Sequence, residues 1–333
     1  MKVCVLGSGG WGTALSLVLL ENGHDVTLWS FLKEEYETIK ANGENPMLKG
    51  VPLPKELKLT WDMSAAAGCD MVVMATPSFA IRTTARKLKD IVTPGTVLVS
   101  VAKGIEEGTS KRLTEAIEEE TQGMCPVVAL CGPTHAEEVG RGIPSAIVAA
   151  SKDQQAAELV QQLFMNGRFR VYTSSDVVGA ELGAALKNVI ALCAGISDGM
   201  GFGDNTRAML MTRGLTEIAR LGVALGGRQA TFAGLTGVGD LIVTCTSMHS
   251  RNHRAGILIG QGVEPQEAVK QIGAVVEGFY AAKTALELAH KHGVEMPITE
   301  AAYAVLYEGM APDEAMRQLM ARDRKQETEE SWL

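Results

Sequence analysis

The sequence predicts an α/β fold: an N-terminal doubly wound parallel sheet followed by a C-terminal all-helical domain. Three observations predict it. Short apolar runs alternate with helical patterns from Lys2 to about Tyr172, as they do when parallel strands are joined by crossover helices and covered on both faces. A glycine-rich turn, Gly7 to Gly12, follows the first run and opens a helix. From Asp176 onward only helical patterns remain, separated by Gly and Pro. The boundary falls at about residue 180, giving domains over 1–180 and 181–333.

Residues 2–6 are apolar and run into glycine, a buried strand. Residues 10–22 read as an apolar helix closed by Asn22 and Gly23 in the manner of a C-cap. Val26 to Trp29 forms a second strand, and a polar helix spans Lys33 to Asn42. A loop with Pro46, Pro52 and Pro54 leads to a strand at Leu57 to Leu59. The runs 71–75, 97–101 and 127–130 are strands, with helices from about Ser78 to Lys89 and from about Thr109 to Glu120 between them. Ser145 to Ala150 and Arg170 to Tyr172 are the last strands, and Arg322 to Glu330 reads as a solvated charged tail.

A chain of 333 residues is long enough for two domains with real cores. Its 31 basic and 39 acidic residues give a formal charge of −8, which argues against general binding to nucleic acid or an anionic membrane. The six cysteines (Cys4, Cys69, Cys125, Cys131, Cys193 and Cys245) include no Cys-x-x-Cys pair, and the histidines form no cluster at zinc-ligand spacing. Reduced buried thiols are expected, with no metal. Lys2 and the apolar run after it resemble a signal peptide only superficially, because glycines break the run and Glu21 and Asp25 follow. Ser331 to Leu333 lacks the basic middle residue of a peroxisomal address. The expected compartment is the cytoplasm.

Within the first domain, Gly7 would make the tight turn, Gly9 would let backbone approach a pyrophosphate, and Gly12 would permit close helix packing. The helix N-terminus adds unpaired N–H groups and positive dipole. No carboxylate follows the second strand, where Trp29, Ser30, Phe31, Leu32 and Lys33 stand. The choice between NAD and NADP is therefore open. Lys103 lies just past one strand, and Gly132 to Glu138 (GPTHAEE) places a tight turn, with Thr134 as a helix cap, past another.

In the second half, the stretch from Glu181 to Asp198 is apolar on nearly every side, with Lys187 the only charge between those two acids. It reads as a buried helix, too short and too interrupted to span a bilayer. No carboxylate lies three or four residues from Lys187, so the ammonium either reaches water along its stem or finds a distant partner. Asp240, among apolar residues, is one candidate for that partner and equally a candidate helix cap. Ser250 to Arg254 concentrates donors in five residues, as a phosphate site or a solvated basic turn.

Read together, GxGxWGT at Gly7 to Thr13, Lys103 and Gly104, GPTHAEE, and Leu186 to Asn188 form an ordered series. It continues with GFGDNTRA at Gly201 to Ala208, Gly239 to Leu241, Ser250 to Asn252, and Val276 to Gly278. The sequence resembles the bacterial NAD(P)-dependent sn-glycerol-3-phosphate dehydrogenases over essentially its whole length. The resemblance implies a Rossmann-type dinucleotide-binding domain and a helical substrate domain. It also implies reversible reduction of dihydroxyacetone phosphate to sn-glycerol 3-phosphate, feeding glycerophospholipid synthesis, with a small-molecule substrate and room for a homodimer. By that resemblance Lys187 is the proton donor and acceptor, with Asp240 beside it. Lys103, Gly132, Thr134, Lys187, Asp240, Ser250, Arg251 and Asn252 match substrate contacts. Gly10, Trp11, Lys103, Ala136, Arg251, Val275 and Glu277 match cofactor contacts, next to the motif glycines. Gly10 and Thr134 stand where serine is common in the family, and Phe31 where NADP-using relatives often carry arginine.

A lysine acid at neutral pH needs its pKa lowered from ~10.4, which desolvation and a second cation, here Lys103, would do and Asp240 would oppose. Two alternatives stay open on the residues. One is a hydroxyacid-type or 6-phosphogluconate-type dehydrogenase of the same architecture. The other is a silent redox sensor, which would need the glycine turn but not Lys187, Asp240 and Arg251.

Overall fold

In the computed structural model, residues 1–324, 326 and 327 are described. Lys325 and residues 328–333, which include part of the expected charged tail, lie outside the described residues. The chain forms two units: Met1–Glu106 with Lys111–Val177, and Glu107–Ser110 with the chain from Val178 onward.

The first unit is built on eight strands: β1 (Lys2–Leu6), β2 (Asp25–Trp29), β3 (Lys58–Thr60), β4 (Met71–Met74), β5 (Val97–Ser100), β6 (Val127–Cys131), β7 (Ser145–Ala150) and β8 (Phe169–Ser174). Their order in the sheet is β3-β2-β1-β4-β5-β6-β7-β8. The helices are α1 (Gly10–Glu21), α2 (Lys33–Asn42), α3 (Ile81–Leu88), α4 (Leu113–Glu120), α5 (Ala136–Gly140) and α6 (Gln154–Phe164). Alternate side chains of each strand feed opposite faces. Val3, Val5, Leu28, Val73 and Val99 pack with Leu15 and Leu19 of α1 and Val160 and Phe164 of α6. Cys4, Leu6, Val72, Met74 and Leu98 pack with Ile81 and Leu88 of α3 and Ile117 of α4. Burial on both faces is why these strands read as continuous apolar runs.

One strand pair departs from the expected parallel pattern: β7 runs antiparallel to β6. The only helix between them, α5, has five residues and spans about 7.5 Å, too little to carry the chain back along a strand of about 16 Å. Helix α4 also starts later than expected. Gly108 and Ser110 hold φ of 81° and 56°, which no right-handed helix admits, so the helix begins after Arg112, whose N–H donates to Glu115 Oε2 at 2.9 Å.

The second unit contains α7 (Val177–Gly199), α8 (Asp204–Ala224), α9 (Gln229–Phe232), α10 (Asp240–Thr246), α11 (Arg251–Gly260), α12 (Pro265–Ile272), α13 (Glu277–His292), α14 (Pro297–Tyr307) and α15 (Pro312–Met320). At 23 residues α7 is longer than the stretch seen in the sequence, and by length and composition alone it could cross a membrane. Its apolar window is 89% buried inside the protein, as in the core helix of a soluble fold. The start of α14 is capped from α8: the buried Glu217 carboxylate accepts from Ile298 N at 2.7 Å and from Thr299 N and Oγ1 at 3.2 Å. Burial outweighs these bonds and pushes the Glu217 pKa up to about 7.

Helices α7 and α11 meet backbone to backbone through Gly195 and Gly199 on one and Gly256 and Gly260 on the other. A Cβ at Gly256 would collide with Leu192 O, and one at Gly195 with His253 O. Gly256→Ala should therefore force the helices apart and cost about 1–3 kcal/mol. Thermal unfolding would show this as a midpoint several degrees lower, and an unchanged midpoint would mean the close approach is not needed.

Candidate active site

In the first unit the site begins at the turn between β1 and α1. Gly7 has φ of 122°, and a Cβ there would meet Ala75 O at 2.6 Å. A Cβ on Gly12 would run into Gly7 O, whereas Gly9 has open space around it. Gly9 precedes α1 without a side-chain cap, which leaves first-turn N–H groups at the positive end of the helix as donors to an anion. These features fit a dinucleotide pyrophosphate. Glycine rather than serine at position 10 has a local cause: a Cβ would lie 2.6 Å from Met47 O. Trp11 is half-buried and packs on the core.

Asn45, which the sequence did not single out, braces this turn. Its Nδ2 donates to Ser8 O at 2.7 Å and Thr13 Oγ1 at 2.6 Å, while its Oδ1 accepts from Met47 N at 2.9 Å. The Asn–Pro pair at 45–46 was the available signal, since it marks a turn. Ala136 opens α5 and sits 3.5 Å from where a Gly10 Cβ would stand. Lys103 Nζ donates to Gly132 O at 2.8 Å, and Thr134 Oγ1 donates to the same carbonyl at 3.3 Å. Thr134 is thus not the helix cap; His135 holds that position, without a side-chain cap bond. Phe31 stands apart from this convergence, past β2, largely exposed and edge-on to Trp29.

In the second unit Lys187 does not reach water: it is 4% exposed, and its Nζ lies 3.0 Å from Asp240 Oδ1. It also donates to Thr244 Oγ1 at 2.5 Å, and that hydroxyl donates on to Asp240 O at 2.6 Å. Asp240 is the first residue of α10 and follows a five-residue π-turn, Leu235–Gly239. The turn can lie against α7 because Gly183, one turn before Lys187, has no side chain: a Cβ would meet Thr236 O at 2.6 Å. Thr244 was not singled out in the sequence, although it stands four residues after Asp240, on the same helix face.

A second chain of bonds joins three helices. Asn252 Nδ2 donates to Asn188 Oδ1 at 2.9 Å, and Asn252 Oδ1 accepts from Gly278 N at 2.8 Å. The residue beside Lys187 thereby ties the first turn of α11 to the first turn of α13. Ser250 caps α11, its Oγ accepting from His253 N at 3.2 Å, and the hydroxyl proton stays free to donate. Arg251 is exposed at the first position of α11. Val275 and Glu277, half-buried, flank the start of α13. The six cysteines are buried and reduced. Burial pushes the thiols of Cys193 and Cys245 up to about 12, so neither is a thiolate at neutral pH.

Comparison with known proteins bears on the whole chain. The family model described as the NAD-dependent glycerol-3-phosphate dehydrogenase N-terminus matches residues 2–157, and the one for its C-terminus matches residues 176–317. The glycerol-3-phosphate dehydrogenase [NAD(P)+] of Fusobacterium nucleatum is 53% identical over the full length of both chains. That of a Thermoanaerobacter species is 53% identical over 98% of this chain and 99% of its own. The crystal structure of glycerol-3-phosphate dehydrogenase from Coxiella burnetii, 38% identical, superposes with a TM-score of 0.92 over 96% of this chain and 99% of that one. With its glycine turn at the start of α1 and its buried lysine on α7, this chain belongs to the NAD-dependent glycerol-3-phosphate dehydrogenase family.

Proposed function

We propose that the protein catalyses the reversible NAD(P)H-dependent reduction of dihydroxyacetone phosphate to sn-glycerol 3-phosphate. The observation that carries the proposal is the buried Lys187 ammonium held by Asp240 and Thr244. The nicotinamide, when bound, supplies the hydride. Gly7, Gly9, Gly10, Trp11 and Gly12 would hold the dinucleotide by backbone and helix N-terminus, with Phe31, Lys103, Ala136, Arg251, Val275 and Glu277 as its further contacts. Lys187, held by Asp240 and Thr244, is the proposed proton donor to the alkoxide that forms as the carbonyl is reduced. Asp240 holds the ammonium in place and takes no proton itself. Lys103, Gly132, Thr134, Ser250, Arg251 and Asn252 are the proposed substrate contacts, with the Arg251 fork and the α11 N-terminus on the phosphate.

The proposed compartment is the cytoplasm, which the reduced thiols support, and the proposed role is supply of the glycerol phosphate unit to glycerophospholipid synthesis. A small-molecule substrate suits an acidic chain; neither nucleic acid binding nor membrane insertion belongs to the proposal.

Oxidation of NADH or NADPH on addition of dihydroxyacetone phosphate tests the activity directly, and no oxidation with either would overturn it. Because Ser30 and Phe31 offer the ribose neither a carboxylate nor a guanidinium, the two cofactors should differ in kcat/KM by no more than roughly tenfold, ~1.4 kcal/mol. A ratio above about a hundred, twice that energy, would place the selection on another residue.

Lys187→Met should lower turnover by at least about 100-fold while dinucleotide binding, followed by nicotinamide fluorescence, persists. Near-normal turnover would remove Lys187 as the acid.

Arg251→Ala should raise the KM for dihydroxyacetone phosphate far more than that for unphosphorylated dihydroxyacetone. The preference for the phosphorylated substrate should shrink by about 1.5–3 kcal/mol. Equal losses on both substrates would assign Arg251 to the cofactor or the fold.

A further inference from the structure

The acid that closes α7 and the motif from Gly201 to Ala208 take no part in the function proposed so far. Asp198 lies in the last turn of α7, where the negative end of the helix dipole disfavours an anion. The residues three and four before it, Gly195 and Ala194, offer it no cation. Both of its oxygens are instead held by other helices. Arg207 of α8 places Nε at 3.1 Å and Nη2 at 3.0 Å from Oδ1, and His253 of α11 places Nε2 at 2.7 Å from Oδ2. The His253 ring is buried, and its Nδ1 has no hydrogen-bond partner among the described residues. A carboxylate only accepts, so Nε2 is the donor in this bond.

His253 belongs to the same turn as the proposed phosphate contacts: it follows Asn252 directly, and its own N–H is the one that Ser250 caps. Asn252 reaches Asn188, and His253 reaches Asp198. Those two anchors are ten residues apart on α7, about 15 Å. Adjacent residues of α11 thus strut in opposite directions along α7. The glycines between the helices set how near they come, but with no side chains they cannot stop one helix sliding along the other. Two opposed struts do stop it.

We infer that Asp198, oriented by Arg207, is a positioning residue for substrate binding: through His253 it fixes the Ser250–Asn252 turn along the helix that carries Lys187. The inference rests on the reading of that turn as the phosphate grip. Its experiment compares dihydroxyacetone phosphate with dihydroxyacetone in Asp198→Asn, His253→Leu, His253→Gln and Arg251→Ala, with unfolding midpoints measured for each. Asp198→Asn and His253→Leu should raise the KM for the phosphorylated substrate roughly tenfold or more, leave kcat within about threefold, and reduce the phosphate preference. His253→Gln, whose amide N–H reaches the place of Nε2–H, should stay within about threefold of the native KM. This rescue is the readout that a merely structural role would not move, and it stands even if Asp198→Asn folds poorly. Unchanged KM in Asp198→Asn and His253→Leu, equal losses on both substrates, or a Gln variant as poor as the Leu variant would each overturn the inference. If Arg251→Ala keeps the phosphate preference while Asp198→Asn loses it, the grip assigned to Arg251 fails and the positioning role stands. The reverse result keeps Arg251 and overturns Asp198.

Discussion

The second unit depends on how closely the backbones of α7 and α11 approach. Four glycines allow it, because at each a Cβ would strike a carbonyl or backbone nitrogen of the opposing helix. The consequence is chemical as well as steric. The hydrogen bonds that leave this contact, Asn252 to Asn188 at 2.9 Å and Gly278 to Asn252 at 2.8 Å, tolerate only a few tenths of an ångström before they weaken. One methyl group between the helices would move them further than that. A Cβ on Gly278 would likewise run into Asn188 O, so α13 is held to the same tolerance. Small residues here are therefore what allows the starts of α11 and α13 to meet the middle of α7 in one fixed arrangement.

The Lys187–Asp240 pair is costly to build. Each group is almost wholly buried, and two such ions lose several kcal/mol of hydration that their attraction only partly returns. A pair of apolar side chains would fill the space at no such cost. The surroundings meet this cost locally: Thr244 accepts from the ammonium and donates to Asp240 O, and a π-turn with Gly183 opposite brings Asp240 to the right place on α7. An arrangement that spends stability on holding one ammonium in a dry place is accounted for by the proton-donor role proposed for Lys187, not by folding.

Much of this was legible in the sequence, and the exceptions have physical reasons. Apolar runs bounded by glycine gave away the strands, since burial on two faces permits nothing else, and α2 falls where its polar pattern placed it, Lys33–Asn42. The glycine turn was legible because two of its motif positions, Gly7 and Gly12, are sterically compulsory. The reversed direction of β7 was hidden: its composition suits either direction, and only the shortness of α5 decides. Thr134 has a capping residue's chemistry, but the cap falls one residue later and the Thr134 hydroxyl goes to Gly132 O. Asn45 and Thr244 escaped because a lone polar residue in a loop or helix looks solvated until its partners, dozens of positions away, are known. Lys187 itself could be suspected, but whether it met water or Asp240 was a question only tertiary structure answers.

The distribution of acids explains how a chain of net charge −8 can take two phosphate-bearing ligands. Most of its longer helices neutralise their own positive ends: Glu34 and Glu35 in α2, Asp204 in α8, Glu277 in α13 and Glu300 in α14 lie in first turns. Asp153 caps α6, and Asp176 directly precedes α7. Among the described helices of ten residues or more, only α1 and α11 begin with no acid in the first turn or just before it. Each such terminus is worth roughly 0.3–1 kcal/mol to a nearby anion, more when partly buried, and at α11 the Arg251 side chain adds a full positive charge. The two ends left uncompensated are those proposed for the pyrophosphate and for the substrate phosphate. A net negative charge repels anions in general, so the proposed selection would rest on these two helix ends, where donor geometry can discriminate, and not on net charge.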